Sequence, residues 1–492
     1  MPTNPPSADG ETSGADPAIA DQLTAVVLAA GLGTRFRSRT PKVLHPLCGR
    51  PLLAYVLDAA TAATEARPLV VYSPASEGVC EAFADRAAFA LQAEPLGTGD
   101  ALRVAVEALH PTVGEIVVLS GDTPLVRAET IRALAQQRRR DGAVMTLATF
   151  RPDDPRSYGR VELEGDQVHR IVERKDASPE ELETPADLNA GLYAFDLGWL
   201  RGRAADLQPS SATGEIYLTS LVELARGEGK SVTALALDDE VELLGVDDRV
   251  QLATAEAELR WRILEAHLLA GVTMEDPLTA YVDATVELAP DVTLEPNVVL
   301  RGRTRIGRGT VVGSGSRIVD SVVGEACRIW SSVVEQSEIE DDVRIGPFSH
   351  IRAGASIGRG AMLGNFAEVK KSRIGSGTKQ HHFSYIGDAE VGERVNIGAG
   401  TITANYDGQA KHPTRIGDGA FIGSDTMLIA PITVGEGAAT GAGAVVTRDV
   451  PPGKVAVGVP ARIRERRTKP TDEPEGGQPP GPGGDAPVED DA

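Results

Sequence analysis

The sequence predicts an α/β domain joined by a long helix to a parallel β-helix, and three observations point there. From Ile345 to Val369 an aliphatic residue recurs at every sixth position: Ile345, Ile351, Ile357, Leu363 and Val369. Gly346, Gly358 and Gly364 directly follow three of them. No helix or lone strand has a period of six. A triangular parallel β-helix does: each face takes one hexad, its aliphatic residue points inward, and a small residue turns the corner. Three hexads, about 18 residues, make one coil, and coils stack at about 4.8 Å. The second observation is the alternation of short apolar runs with helix-like segments in the first half of the chain. The third is Val250–Ala270, where Leu252, Ala255, Leu259, Ile263, Ala266 and Leu269 recur at helical spacing with no Gly or Pro between them.

In chain order, residues 1–21 are rich in Pro, Ala, Ser and Asp and read as a disordered leader. Leu23–Ala30 is a continuous apolar run, as expected of a strand buried on both faces of a parallel sheet. Further strands are expected at Pro68–Tyr72, Phe89–Gln92, Glu115–Ser120 and Val144–Thr149, and helices at Pro51–Thr64, Gly99–Leu109 and Ala128–Arg140. That order predicts a doubly wound domain over 22–249, with ligands at the carboxyl ends of its strands. The segment 250–275 reads as a rigid connector, its helix about 30 Å long. The hexads fill 276–468; they return at Ile306, Val312 and Ile318 and at Ile416, Ile422, Leu428 and Val434. The segment 469–492 is Pro, Gly and acid with almost no apolar residue, and reads as a disordered acidic tail.

Composition narrows the function. A chain of 492 residues has room for two or more domains, and 41% hydrophobic residues suffice for real cores. Only 4% are aromatic, which suits thin coils filled by Ile, Val and Leu. A net charge of −22 would repel a phosphate backbone, so nucleic-acid binding is excluded, although a local basic site for a small phosphate is not. Cys48, Cys80 and Cys327 fit no zinc spacing or disulfide framework, and read as reduced thiols of a cytoplasmic protein. No signal peptide is visible at the N-terminus, and no apolar run is long enough to span a bilayer.

The first strand feeds into Gly31-Leu-Gly-Thr-Arg35, and Pro41-Lys42 follows. Small residues let the backbone approach a triphosphate closely, and loop N–H groups can bind its oxygens. With Arg35 and Lys42 close behind the strand, this segment resembles that of the sugar-phosphate nucleotidyltransferase family. So do Gln92-Ala-Glu-Pro-Leu-Gly-Thr-Gly99, Ser120-Gly-Asp-Thr-Pro124, Tyr158-Gly159-Arg160, Ile171-Val-Glu-Arg-Lys-Asp176, Leu188-Asn-Ala-Gly191 and Gly245-Val-Asp-Asp-Arg249. Joined to hexapeptide repeats, these motifs make Leu23–Val459 similar to the family of bifunctional N-acetylglucosamine-1-phosphate uridyltransferase/glucosamine-1-phosphate acetyltransferases. The resemblance implies a Rossmann-like nucleotidyltransferase domain and a left-handed β-helix. It implies Mg²⁺ held by Asp122 and Asp247, the latter standing where the family commonly has asparagine. It also implies contacts to UTP and the uridine product from Leu28, Ala29, Gly31, Gly33 and Lys42, base reading by Gln92, Gly97 and Thr98, and sugar contacts from Gly159, Glu173 and Asn189. Arg35 and Lys42 would stabilise charge growing on the phosphates.

In the second half the hexad register breaks between Val369 and Ile416, and breaks are where functional loops leave a ladder. Two adjacent histidines, His381 and His382, fall there. The resemblance matches His382, in the frame His382 to Asp388, to the family's general base. An amine attacks a thioester only when neutral, and imidazole titrates near the working pH. By the same resemblance Arg352, Lys370, Tyr385, Asn396 and Lys411 hold the sugar phosphate. Ala399, Asn405, Tyr406, Ser424 and Ala442 bind acetyl-CoA, with Asn405, Tyr406 and Ser424 orienting the base or stabilising the oxyanion. The segment Ala461–Arg467 carries no tryptophan to close that site, although Arg462 or Arg464 could meet the CoA phosphates.

The expected protein is therefore a bifunctional enzyme making UDP-N-acetylglucosamine from glucosamine 1-phosphate, acetyl-CoA and UTP, and a homotrimer, because triangular prisms pack naturally round a threefold axis. A single-activity nucleotidyltransferase whose β-helix serves only assembly or regulation is the alternative.

Overall fold

The computed structural model describes residues 23–466 apart from 152–157, 179, 181–185 and 212. The expected leader and acidic tail lie outside the described residues. By its internal contacts the chain falls into two compact units, Met1–Arg305 and Ile306–Ala492. The division lies within the ladder, so the first coils group with the α/β domain rather than starting a unit of their own at 276.

The first unit is built on a nine-stranded sheet. Its order is Ala88–Leu91, Leu69–Tyr72, Leu23–Leu28, Glu115–Ser120, Asp187–Asp196, Met145–Phe150, Val232–Ala236, Gln167–Val172, Arg160–Glu164. The first four strands run parallel, as their unbroken apolar sequences require. Asp187–Asp196 runs antiparallel to both neighbours and shifts register between Asn189 and Tyr193. Helices Leu52–Thr64, Thr98–Ala108 and Ala128–Asp141 lie within a residue or two of their expected positions. They pack on the sheet through two apolar clusters, one including Leu53, Leu57, Leu119 and Leu134, the other Leu102, Ile116, Leu147 and Phe195.

The long helix is Arg249–Leu269, capped by Asp248, whose carboxylate accepts from the N–H groups of Val250 and Gln251, both at 2.9 Å. It is more than a connector. Ala255 and Leu259 are buried in a third cluster with Phe36, Leu47, Leu52, Leu125 and Val246. The Arg262 guanidinium donates to the Leu125 carbonyl at 2.8 Å. The expected stripe stops short: Leu264 is buried instead of Ala266, and Leu269 is exposed. The helix therefore closes one side of the α/β core over its first half only.

The ladder opens at Thr273–Met274, slightly earlier than expected, and its strands form three sheets, parallel except for the last strand, Arg462–Glu465, which runs antiparallel to Lys454–Val457. One inward column includes Ile329, Ile345, Leu363, Ile397 and Ile422; a second includes Ile318, Val334, Ile351, Val369, Ile386 and Leu428; a third, Ile339, Ile357, Ile374, Val391, Ile416 and Val434. All of these are at most 4% exposed, which makes the hexad the packing unit of the fold. Gly364 shows why a corner must be small: a Cβ there would stand 2.1 Å from the His381 carbonyl oxygen of the next coil. The coils from Leu363 to Gln380 and from Gln380 to Ile397 are each one residue short of three hexads, and that from Ile397 to Ile422 carries an insertion around Tyr406–Lys411. These three irregularities account for the broken register.

Neighbouring positions in one rung should behave oppositely. Ile318 is fully buried and Arg317 exposed. In urea unfolding, Ile318→Ala is expected to cost about 2–5 kcal/mol, and Arg317→Ala no more than about 0.5 kcal/mol. Equal losses would refute the inward column.

Candidate functional sites

The first site gathers at the carboxyl ends of the central strands. Leu28 ends one and Ser120 its neighbour, and the Gly121 N–H donates to the Leu28 carbonyl at 2.9 Å, holding the two ends together. After Leu28 the chain passes Gly33, in the left-handed region at φ +55, where a Cβ would come within 2.9 Å of the Lys42 Cβ. This close approach sets Lys42 against the strand ends. Its ammonium is shared by the Asp122 carboxylate and by Asp247 Oδ1, the latter at 3.0 Å. Asp247 Oδ2 takes the Arg35 guanidinium at 3.0 Å, and Asp122 Oδ1 accepts from the Ser120 hydroxyl at 2.6 Å. The Val246 N–H donates to the Asp122 carbonyl at 2.9 Å, which ties the two acidic turns together. Burial acts most strongly on both members of the central pair and disfavours their charges. The charges win nonetheless: Lys42 is held above its ordinary value by Asp122 and Asp247, and Asp122 below its own by Lys42 and Ser120.

The expected base-reading loop is a close turn. Gly97 has φ +121, and a Cβ there would lie 2.4 Å from the Ile216 carbonyl oxygen. Gln92 is buried, and its amide donates to the Gly97 carbonyl at 3.1 Å and to Asp100 at 2.8 Å. The Gln92 side chain thus braces this loop. Thr98 Oγ accepts from the Leu218 N–H at 3.1 Å. The expected sugar contacts also converge: a Cβ on Gly159 would lie 3.5 Å from Glu173 Oε2, and the Asn189 N–H donates to the Gly159 carbonyl at 2.8 Å. Glu173 accepts from the Thr219 hydroxyl at 2.9 Å, yet burial raises its carboxyl above the usual range. The Asn189 amide donates to the Tyr193 hydroxyl at 2.6 Å.

The residues expected to handle acetyl-CoA and the second sugar phosphate separate into two groups along one face of the ladder. His382, Ala399, Ser424 and Ala442 occupy one corner in successive coils, as the strand register requires. Backbone bonds fix that column: Asp425 N–H to Ala399 O at 2.6 Å and Gly443 N–H to Ser424 O at 2.8 Å. His382 is exposed there, at a corner of the ladder rather than on a loop that leaves it. Asn396, in the strand before Ala399, lies beside Lys379 of the previous coil.

The second group lies toward the other end of the strand. Arg352 and Lys370 are paired in register and point outward, and Gly387 is next in that column. A Cβ on Gly387 would fall 2.3 Å from the Tyr385 hydroxyl, so the phenol lies across the glycine toward the cations. The Gly387 N–H donates to the buried Thr403 hydroxyl at 2.8 Å. Lys370 is held below its ordinary value first by Lys411 and then by Arg352. Arg352 meets Glu368 at 2.6 Å. The insertion brings Lys411 to this cluster: Tyr406 and Lys411 form an isolated antiparallel bridge, the Tyr406 hydroxyl donates to the Gly408 carbonyl at 2.7 Å, and Asn405 donates to Asp388. The structure thus groups Asn405 and Tyr406 with the cations and not with Ala399, Ser424 and Ala442. Asp388, Glu368, Thr219 and Ser120 escaped the sequence reading as partners, because pairings between coils and between distant strands leave no local signal.

Three comparisons bear on these sites. Residues 25–174 match the MobA-like NTP transferase domain, and residues 336–371 and 413–448 match the bacterial transferase hexapeptide (six repeats). A relative from Heliobacterium modesticaldum, "Bifunctional protein GlmU", is 47% identical over 88% of this chain and 95% of its own length. Relatives of the same name from Pelobacter propionicus and Streptococcus agalactiae are 44% and 43% identical over 89% and 88% of this chain, and 96% and 95% of their own lengths. A nucleotidyltransferase domain followed by hexapeptide transferase repeats defines a two-domain transferase. More particularly, the chain belongs to the GlmU family of bifunctional proteins.

The charge cluster at Lys42 gives a pH-dependent prediction. Asp122 is held below its unfolded value of about 3.9, so its stabilisation is complete above that pH and is lost as pH falls through the lower folded value. Lys42→Met is expected to lower stability by about 1–3 kcal/mol at pH 7, because Asp122 loses its cation and Asp247 keeps only Arg35. The gap to the parent protein should narrow below about pH 4. Urea titrations at both pH values check this, and a gap that widens in acid would contradict it.

Proposed function

We propose that this chain makes UDP-N-acetylglucosamine in two steps at two separate sites. In the first step glucosamine 1-phosphate is acetylated by acetyl-CoA at the ladder; in the second the product takes a uridylyl group from UTP at the α/β domain, and pyrophosphate leaves. One observation carries this reading: each half holds the charges that its own reaction needs. Two carboxylates bracket a single cation in the first unit, and three cations cluster on the face that carries His382 in the second.

Uridylyl transfer needs no protein nucleophile. A phosphate oxygen of N-acetylglucosamine 1-phosphate attacks the α-phosphorus of UTP in line, and the bond to pyrophosphate breaks. Arg35 and Lys42 stabilise the growing negative charge. Leu28, Ala29, Gly31 and Gly33 bring backbone close to the phosphates, Gly97 and Thr98 read the base in a loop braced by Gln92, and Gly159, Glu173 and Asn189 hold the sugar. The residues also fit Mg²⁺. Asp122 and Asp247 already converge on one ammonium, and two carboxylates with substrate phosphates are an ordinary magnesium set. When bound, the ion would neutralise phosphate charge. Asp247 in place of asparagine adds a negative charge beside Arg35 and Lys42, so these two cations are held ready at the strand ends before substrate arrives.

Acetyl transfer needs a base. His382 takes a proton as the sugar amine attacks the thioester carbonyl, and the CoA sulfur leaves and is protonated in turn. Arg352, Lys370, Tyr385 and Lys411 bind the sugar phosphate, supported by Asn396. Ala399, Ser424 and Ala442 line a groove along one corner, where small side chains leave room for the pantetheine arm; it runs three coils, about 15 Å at the usual strand spacing. Asn405 and Tyr406, at the other end of the strand, would reach such a groove on an adjacent prism. This is the functional argument for a homotrimer, and a sedimentation mass of a single chain would count against it. Among the described residues no helix is long and apolar enough to cross a membrane; the cytoplasm, where UTP and acetyl-CoA are made, is the proposed location.

Incubation with glucosamine 1-phosphate, acetyl-CoA, UTP and Mg²⁺ tests the proposal. Both free CoA and UDP-N-acetylglucosamine are expected. Pyrophosphate release only when N-acetylglucosamine 1-phosphate is supplied ready-made would show that the ladder serves assembly or regulation alone.

A further inference from the structure

One inward column of the ladder contains a residue that breaks its rule. Gln380 stands between Leu363 and Ile397, both aliphatic, and it is fully buried. Its amide nitrogen donates to the Ser384 hydroxyl at 2.8 Å, and that hydroxyl donates to the His382 carbonyl at 3.0 Å. The amide oxygen, Oε1, is buried without a hydrogen-bond partner. An aliphatic side chain here would avoid that cost altogether.

Other corners show what the amide replaces. Ser332 and Ser372 also donate to the carbonyl two residues back, of Trp330 and Lys370, both at 2.8 Å. Each of them accepts from a backbone N–H of the next coil: Ser349 at 3.1 Å and Ala389 at 3.0 Å. At Ser384 the donor is the Gln380 side chain. In the next coil the Thr401 N–H turns instead to the Gly398 carbonyl at 3.3 Å.

We propose that Gln380 is a positioning residue for acetyl transfer, acting through Ser384 to fix the His382 backbone, and hence its imidazole, at the corner of the groove. The proposal rests on the reading of His382 as the general base. Gln380 touches no substrate. Its amide polarises the Ser384 hydroxyl toward the His382 carbonyl, and both serine hydrogen-bonding roles are thereby filled from inside the core. The cost of an unpaired buried oxygen is retained because an aliphatic residue would leave the turn free to move, and a base must sit within hydrogen-bond reach of its proton.

Gln380→Met, close in shape but without the amide, is the test, with Gln380→Leu as a second variant matching the aliphatic column. Both are expected to fold with an equal or higher melting midpoint. The kcat of acetyl transfer should fall about tenfold, with KM for both substrates within about twofold, a loss smaller than the hundredfold that a misplacement of about 1 Å can cost. Uridylyl transfer should not change, and amide hydrogen exchange should quicken at residues 381–385 and not elsewhere in the ladder. Ser384→Ala should give the same loss, and the double variant no more than either. Unchanged kcat and exchange in a folded variant would overturn the proposal, as would a loss of kcat accompanied by a lower midpoint and faster exchange throughout the ladder. His382→Ala separates the two levels: if it keeps full acetyl transfer, the assignment of the base fails, whatever Gln380 does.

Discussion

Each rung of the ladder admits one inward side chain per face, and the rest of the second unit depends on that constraint. Because the interior is a stack of thin layers, aliphatic residues fill it without large aromatic rings. Because every strand is short, function has little room except at corners and insertions. A corner carries His382, and the insertion carries Lys411 to the Arg352–Lys370 pair. The ladder supplies spacing, and its corners and its insertion supply chemistry.

The same economy appears in polar residues that enter the columns. Gln380 and Thr403 sit where Ile or Val would pack, and both are bonded to segments that carry candidate site residues. Gln380 reaches the His382 turn through Ser384; Thr403 holds the Gly387 N–H beneath the Tyr385 phenol. A polar group inside a thin core is costly unless bonded, so these departures mark places where backbone position matters more than packing. The first unit answers the corresponding problem with charge. Lys42 is set by a glycine approach and held by two acidic turns, so the strand ends present cations and carboxylates together.

Much of this was legible in the sequence, for physical reasons that can be named. Hexads from Ile345 to Val369 prescribe the three columns because an aliphatic residue at every sixth position is buried against the coils on either side. The strand Leu23–Leu28 and the glycine turn after it could be read because burial on both faces leaves a continuous apolar run. Less was legible where partners come from distant segments. Nothing local reveals that Asn405 bonds Asp388, that Gln92 braces Gly97, or that Gln380 bonds Ser384 beneath His382. The reading of Arg249–Leu269 as a rigid connector names no packing partners, because apolar spacing records burial without saying against what; the partners Phe36, Leu47 and Leu125 come from three separate segments.

The central claim is that one chain holds two chemically independent sites, and paired variants test it most directly. Asp122→Asn should stop uridylyl transfer and leave acetylation near the parent rate, while His382→Ala should do the reverse. Mixed together without refolding, the two proteins should again convert glucosamine 1-phosphate to UDP-N-acetylglucosamine, because the acetylated intermediate diffuses from one to the other. Loss of both activities in either folded variant, or a mixture that yields no product, would contradict the account.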